Sequence, residues 1–183
     1  QCVQLIRQLG ARKAGVKFFC NISSSSLQDE AFFGQFVEFM SANTELADRL
    51  IFEFDYQEAK NLGRSILSEL ARLAKRGYRF SVDNVDTIDI NTAELADRHI
   101  GFVKIDAQKF LQNATSTVHP ADLKAQLKSS DIDLIITRVE DEETIVEVLD
   151  RNADFAQGYL FGEPRPSKID QPSSPPSQVS GAA

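Results

Sequence analysis

The stretch Phe102-Val103-Lys104-Ile105-Asp106 decides the fold that the sequence predicts. It is rich in aromatic and β-branched residues, which favour strands, and side chains alternate between the two faces of a strand. Lys104 and Asp106 therefore share one face. Residues 50–55 alternate in the same way, with Glu53 as an isolated charge inside an apolar run. Both stretches predict short strands with polar side chains near their carboxyl ends.

Further apolar stretches follow the same design along the chain, and helical periodicity separates them. The predicted strands are residues 16–20, 50–54, 78–82, 102–105, 133–136 and 155–160. Strands that alternate with helices indicate βα units and a parallel sheet, and right-handed crossovers leave an open doubly wound sheet or a closed barrel. No G-x-G-x-x-G motif or P-loop follows the first strand, so an open nucleotide-binding fold has little support.

The predicted units are too few for an eight-stranded barrel. Met40 is the only methionine of the 183 residues, so we expect the sequence to be a piece of a longer protein. The fold class that we predict is α/β, a TIM-like β/α barrel whose first two strands lie outside this sequence.

The composition restricts the classes of function. The net charge is -7 and there is no Lys/Arg-rich stretch, which argues against binding of a long nucleic acid. No apolar run reaches the length of a membrane span, so we expect membrane attachment only through upstream segments. Cys2 and Cys20 form no CxxC motif and are expected to be free thiols in a reducing compartment.

The character of the chain changes near its carboxyl end. Five of the six prolines occur from Pro164 onward, among Ser, Gln and Gly. Such a segment buries too little surface to offset the entropy of ordering it. We predict one domain over residues 1–166 and a disordered Pro/Ser-rich tail over residues 167–183.

Polar side chains occur where the predicted strands end or shortly after. They are Asn21, Glu53, Asp83, Lys104, Glu140 and Gln157. In a parallel barrel the carboxyl ends of all strands face one opening, where barrels of this kind place their chemistry. Asn and carboxylate oxygens suit Mg²⁺ or Mn²⁺, and a nearby lysine suits a phosphate. A structural ion pair is the alternative for each single charge.

The motifs at these strand ends resemble, in order, those of EAL domains, the cyclic di-GMP phosphodiesterases. Phe19-Cys20-Asn21-Ile22-Ser23 is similar to the V-N-L-S strand, 52–56 (F-E-F-D-Y) to L-E-I-T-E and 81–84 (S-V-D-N) to A-L-D-D. The 102–106 stretch resembles L-K-I-D, 136–140 (I-T-R-V-E) stands where the family has A-E-G-V-E, and 157–164 resembles Q-G-Y-x-F-x-x-P.

The departures from the family motifs fall on its catalytic groups. The resemblance implies metal ligands at Asn21, Glu53 and Asp83, but Asn84 stands in place of the second Asp of D-D and Thr137 in place of the Glu of A-E. We therefore expect the chain not to be an enzyme, with no metal or other cofactor required and these ligands vestigial; Mg²⁺ is not expected. The ligand-binding residues that we predict are Asn21, Glu53, Asp83, Lys104, Arg138, Glu140 and Gln157.

The predicted function is that of an inactive EAL domain that acts as a cyclic di-GMP receptor and signals to a protein partner. The alternative is a protein-interaction scaffold that no longer binds the nucleotide. The degenerate loop after Asp83 resembles that of flagellar receptors of the TipF type, which implies a role in motility or surface attachment and a flagellar or polar assembly factor as partner. We expect a cytoplasmic domain, with any membrane anchor confined to upstream segments.

Overall fold

The computed structural model describes residues 2–9, 15–112 and 118–165. Within these ranges, six parallel strands form one sheet in the order β1-β2-β3-β4-β5-β6, which curls into a half-barrel. The strands are β1 (Phe18–Asn21), β2 (Leu50–Asp55), β3 (Arg79–Val85), β4 (Ile100–Asp106), β5 (Asp133–Thr137) and β6 (Phe155–Ala156). This α/β architecture confirms the predicted TIM-like barrel.

Helices connect the strands and lie against the outside of the sheet. They are α1 (Cys2–Leu9), α2 (Ser24–Gln28), α3 (Glu30–Ala42), α4 (Tyr56–Lys60), α5 (Arg64–Ala74), α6 (Thr92–Asp97), α7 (Ala107–Leu111), α8 (Pro120–Ser129) and α9 (Glu142–Asp150). Short 3₁₀ helices occupy Thr44–Leu46 and Tyr159–Phe161. Within the described ranges, no helix is long and apolar enough to cross a membrane. The predicted tail over residues 167–183 lies outside the described residues.

The two faces of the sheet have different roles. The outer face contributes Phe52, Phe80 and Leu134 to the large core under the helices. The inner face carries a smaller apolar cluster of Ile51, Phe102 and Ile135, against which Phe19 packs. The alternation of side chains that the sequence predicts thus separates a helix-packed core from a barrel interior.

Arg79 fills the amino-terminal end of the barrel interior. Its guanidinium lies 4.4 Å from the centre of the Phe102 ring and donates to the carbonyl oxygen of Gly101 at 2.9 Å. A Cβ at Gly101 would lie 2.5 Å from Nε of Arg79, so a larger residue there would require the guanidinium to shift. Arg79 also pairs with Asp133 at 3.4 Å. The amino end of the sheet is thereby filled by structural contacts.

Most strand boundaries differ from those expected by one or two residues, and the ends of β3 and β6 differ by more. β3 extends to Val85, beyond the predicted end at residue 82, and β6 is only two residues long where 155–160 was predicted. The peptide after β6 turns toward β5, because Gln157 donates its N–H to the carbonyl oxygen of Ile136 and Leu160 donates to that of Val139. The predicted last strand is therefore mostly a docked loop.

Candidate functional site

The register of the sheet brings the predicted polar side chains to one edge. Asn21 is the partner of Glu53, and Asp55 is the partner of Asp83. Farther along the same sheet, Asp106 at the end of β4 is the partner of Thr137 at the end of β5. Because all strands are parallel, these residues lie at the carboxyl-terminal rim of the half-barrel.

Glu53 and Lys104 form a buried ion pair inside the half-barrel. Nζ of Lys104 lies 2.6 Å from Oε2 of Glu53, and both side chains are 4% exposed. Ser81 on the intervening strand donates its hydroxyl to the same carboxylate at 3.2 Å, and Nζ lies 4.5 Å from the centre of the Phe19 ring. The charge of Lys104 is thus balanced within the protein, as the structural alternative for an isolated charge predicts.

Asn84 takes a left-handed backbone conformation next to Asp83. Its φ of 55° is one that Asn tolerates better than most residues. The backbone N–H of Asn84 donates to Oδ1 of Asp83 at 2.7 Å, and its side-chain amide donates to Oδ2 of Asp55 at 3.3 Å. The amide that replaces the family carboxylate is therefore held by a carboxylate from the neighbouring strand.

Arg138, the first residue after β5, takes the same left-handed backbone conformation as Asn84, with φ of 58°. Its Nη1 donates to Oδ2 of Asp106 at 3.0 Å, while its side chain remains 73% exposed. Thr137, the last residue of β5, is half-buried beside it. The rim therefore carries an accessible cation on its β5 side.

Gln157 is positioned by its backbone. Besides donating to Ile136, it accepts a hydrogen bond from the N–H of Val139 at 3.1 Å. Gly158 follows, and a Cβ there would lie 2.0 Å from the carbonyl oxygen of Val139. The glycine allows the loop after β6 to approach Val139 closely. The Gln157 side chain is exposed at the rim.

Two polar cavities open at this part of the rim. The rim cavity, of about 310 Å³, is lined by Asp83, Asn84, Thr137, Arg138, Glu140, Gln157, Gly158 and Tyr159. The side cavity, of about 480 Å³, lies between α7 and α9, and Asp106, Arg138 and Glu140 are among its lining residues. Hydrogen bonds, chiefly that from the N–H of Thr144, lower the pKa of the exposed Asp141 in the side cavity below its usual value.

The structure brings only part of the predicted set into one cavity. Asp83, Arg138, Glu140 and Gln157 line the rim cavity together. Asn21 instead lines a larger, more apolar groove of about 710 Å³ between α1, β1 and α3. Glu53 and Lys104 are buried against each other in the barrel interior. The predicted ligand-binding set thus divides into three places.

The described residues do not fit a two-metal centre. Among them there is no group of three or more His, Cys, Asp or Glu side chains that could hold a metal ion. Of the three residues predicted to be vestigial ligands, Glu53 is paired with Lys104, and Asp83 accepts the N–H of Asn84. We therefore derive no chemistry through a bound metal, and the prediction that no metal is required stays a prediction.

The predicted ligand-binding set omits the two aspartates that organise the rim, although both stand in the strand motifs. Asp55 caps α4 by accepting the N–H groups of Gln57 and Glu58, and Asp106 caps α7 in the same way. Each also holds a rim side chain, Asn84 and Arg138 respectively. An Asp directly before a helical stretch was the available signal, because side-chain oxygens at that position accept the free N–H groups of the first turn.

The comparison with protein families identifies the chain. A family model described as "EAL domain" matches residues 1–164. The chain belongs to the EAL domain family. This EAL domain is 25% identical over 174 residues to the cyclic di-GMP phosphodiesterase PdeF of Escherichia coli K12, which covers 90% of the chain and 22% of PdeF. It is 24% identical to the probable cyclic di-GMP phosphodiesterase PdeG of the same strain, over 88% of the chain and 33% of PdeG.

Solved structures show the same fold. The PaMucR phosphodiesterase in complex with c-di-GMP matches with a TM-score of 0.73 and 19% identity, over 91% of this chain and 68% of that chain. The Bacillus subtilis YkuI protein, in complex with c-di-GMP and calcium, matches with a TM-score of 0.66 and 19% identity, over 90% and 42%. The domain spans a third or less of the two curated E. coli relatives.

One expectation needs correction. We expected the chain not to be an enzyme, because Asn84 and Thr137 replace acidic residues of the family motifs. The comparisons contradict that expectation, since both E. coli relatives are named as cyclic di-GMP phosphodiesterases, one of them as probable. Two substitutions in the motifs are too narrow a basis for denying the activity of the family.

Proposed function

We propose that this EAL domain binds cyclic di-GMP at the carboxyl-terminal rim of its half-barrel. The observation that carries the proposal is the rim cavity, where four predicted ligand-binding residues meet: Asp83, Arg138, Glu140 and Gln157. Its place at the carboxyl ends of parallel strands is where barrels of this type bind substrates. The names of the relatives supply the identity of the ligand.

The charges at the rim suit a ligand that combines phosphates with hydrogen-bonding bases. Arg138 supplies a guanidinium, which pairs with phosphate oxygens through two parallel N–H groups. Asp83 and Glu140 can accept hydrogen bonds from the N–H groups of guanine, and Gln157 can donate or accept. Asn21, Glu53 and Lys104 stay in the proposed ligand-binding set as predictions from the sequence; Asn21 lines the neighbouring groove, and Glu53 and Lys104 are paired and buried in the barrel interior.

The relatives are named as cyclic di-GMP phosphodiesterases, and we propose that this chain also hydrolyses cyclic di-GMP, but slowly. Threonine cannot act as a base at neutral pH, and loss of general-base help costs about 10² to 10⁴ in rate. Thr137 and Asn84 stand where the family motifs have carboxylates. The test is a chromatographic assay of the linear product, comparing the wild type with the Asn84→Asp/Thr137→Glu variant.

We expect the double variant to turn over cyclic di-GMP at least about ten times faster than the wild type, which corresponds to about 1.4 kcal/mol in the barrier. Equal rates would mean that these two positions do not limit hydrolysis. The full-length protein is the sample, since the domain covers only part of the length of its relatives.

We propose that binding of cyclic di-GMP does not require a divalent metal. The described residues contain no cluster of three ligands, and the carboxylate of Glu53 is already paired with Lys104. The matched YkuI structure contains calcium as well as the nucleotide, so the question needs a direct test. A calorimetric titration in chelator should give the same affinity as one in Mg²⁺; abolition of binding by the chelator would contradict the proposal.

We further propose that the domain reports ligand occupancy to a protein partner. Tyr159 and Phe161 come two and four residues after Gln157, and their side chains are 62% and 59% exposed at the open edge of the half-barrel beside β6. A ligand that contacts Gln157 would change the surroundings of this aromatic surface, and exposed aromatic side chains commonly anchor protein interfaces. A flagellar or polar partner, and attachment to a membrane through upstream segments, remain predictions from the sequence.

The nucleotide-independent scaffold stays as the second candidate. The observation that favours it is the Glu53–Lys104 pair, which leaves Lys104 with no uncompensated charge for a phosphate. Titration of the full-length protein with cyclic di-GMP separates the candidates. Saturable binding supports the receptor, and absence of heat and of saturation at millimolar ligand supports the scaffold.

A further inference from the structure

Arg138 stands at the junction of the two polar cavities. It lines both the rim cavity and the side cavity, and among the described residues lining either of them it is the only cation. Its side chain is 73% exposed. A long and exposed side chain on a fixed backbone can turn toward either cavity without any change in the strands.

Asp106 is a fixed partner for this guanidinium. It ends β4, its side chain is only 15% exposed, and its Oδ1 accepts the N–H groups of Gln108 and Lys109 at the start of α7. These bonds hold the carboxylate in place and leave Oδ2 for Nη1 of Arg138, at 3.0 Å. The pair therefore joins one immobile acceptor to one mobile donor.

We propose that Asp106 is a positioning residue that holds Arg138 on the side-cavity side until a phosphate of the ligand takes its place as the partner of the guanidinium. This inference rests on the proposed binding of cyclic di-GMP and adds a regulating contact to that site. An ion pair with one exposed partner is weak, so a phosphate can displace it. Because the ion pair between Asp106 and Arg138 has to break before the phosphate binds, it lowers ligand affinity by a small factor.

A double-mutant cycle in the full-length protein tests the proposal by calorimetric titration with cyclic di-GMP. Asp106→Asn keeps the oxygen that caps α7 but removes the charge, and Asn is as good a capping residue as Asp. We expect this variant to bind about 1.5 to 5 times more tightly than the wild type. Arg138→Ala should bind about 10 to 100 times more weakly, because it loses a charge-assisted hydrogen bond. Arg138→Lys should recover part of that loss.

The double variant carries the decisive outcome. If Asp106 acts through Arg138, Asp106→Asn should have no effect on affinity once Arg138 is Ala. If Asp106→Asn strengthens binding equally with Arg138 and with Ala at position 138, the effect is general electrostatics and the positioning role is wrong. If it strengthens binding in neither background, the positioning role is also wrong, because Asp106 then has no effect on affinity.

A matched control is Asp133→Asn, which weakens the ion pair with Arg79 at the opposite end of the sheet. It should leave the affinity unchanged. If the wild type itself shows no binding, the proposed function fails and the positioning role fails with it. If the wild type binds but the cycle is additive, only the positioning role is overturned.

Discussion

At the scale of single residues, the buried pair of Lys104 and Glu53 is the most consequential contact at the site. Replacing Lys104 with Met leaves a buried carboxylate without its partner, which typically costs about 3 to 5 kcal/mol of folding free energy. We expect urea unfolding to show a loss of this size. The double variant Glu53→Gln/Lys104→Met should recover most of it, because neither side chain is then charged.

The matched control for this prediction is the exposed pair of Arg7 and Glu45, whose atoms lie 3.2 Å apart with both side chains more than half exposed. Arg7→Ala should change the free energy of unfolding by less than about 1 kcal/mol. Equal losses in Lys104→Met and Arg7→Ala would contradict the assignment of Glu53–Lys104 as a buried pair.

Tyr78 offers a test by pH. Its hydroxyl is buried and donates to the carbonyl oxygens of Met40 and Asn43. Burial, with the nearby charge of Glu45, raises its pKa from 10.0 to about 12. Between these values the native state retains a proton that the unfolded chain has lost, so stability falls as pH rises from 10 to 12.

The measurement is chemical unfolding of the wild type and Tyr78→Phe across this pH range. Lysines also titrate there, so the prediction concerns the difference between the two proteins. The wild type should be more stable than Tyr78→Phe at pH 8, and this advantage should shrink toward pH 12. A constant difference would show that the tyrosine pKa is not raised by folding.

At the scale of elements, the loop after β6 depends on one close approach. Gly158→Ala places a Cβ 2.0 Å from the carbonyl oxygen of Val139, so the loop has to move away from β5. We expect a loss of about 1 to 3 kcal/mol in stability and a weaker affinity for cyclic di-GMP, because Gln157 is displaced. Thermal unfolding and calorimetry measure the two effects.

Gly34 is the control for that substitution. It lies within α3, and a Cβ there meets nothing within 4 Å. Gly34→Ala should stabilise the protein by about 0.5 to 1 kcal/mol, because alanine loses less backbone freedom in a helix. If both alanine variants bind the ligand like the wild type, the docking of the Gln157 segment has no bearing on the site.

Element boundaries show what the sequence could and could not predict. The alternation at residues 50–55 and 102–106 places Glu53 and Lys104 on one face of their strands, and the structure puts both inside the half-barrel. Their pairing could not be predicted, because it depends on the curvature of the sheet and on the small Ser81 between them. β6 was overestimated because its apolar residues belong to a docked loop.

At the scale of the whole molecule, the order of the βα units was predictable because each unit repeats the same local pattern. The sequence could predict that polar side chains line the rim, because strand ends meet at one edge of a parallel sheet. Their division between the rim cavity, the groove beside β1 and the buried pair was not, because cavities depend on how loops pack. Asp106 and Asp55, which hold the rim side chains, carried only a helix-capping signal.

Binding of cyclic di-GMP at the rim can be measured by calorimetric titration of the full-length protein. The comparison is the wild type against Gln157→Ala at the rim and Lys128→Ala, an exposed position in the last turn of α8 at the opposite end of the sheet. We expect saturable binding to the wild type and to Lys128→Ala, with affinity at least about threefold weaker in Gln157→Ala because one hydrogen bond is lost. Equal affinity in all three proteins, or no binding to any, would contradict binding at the rim.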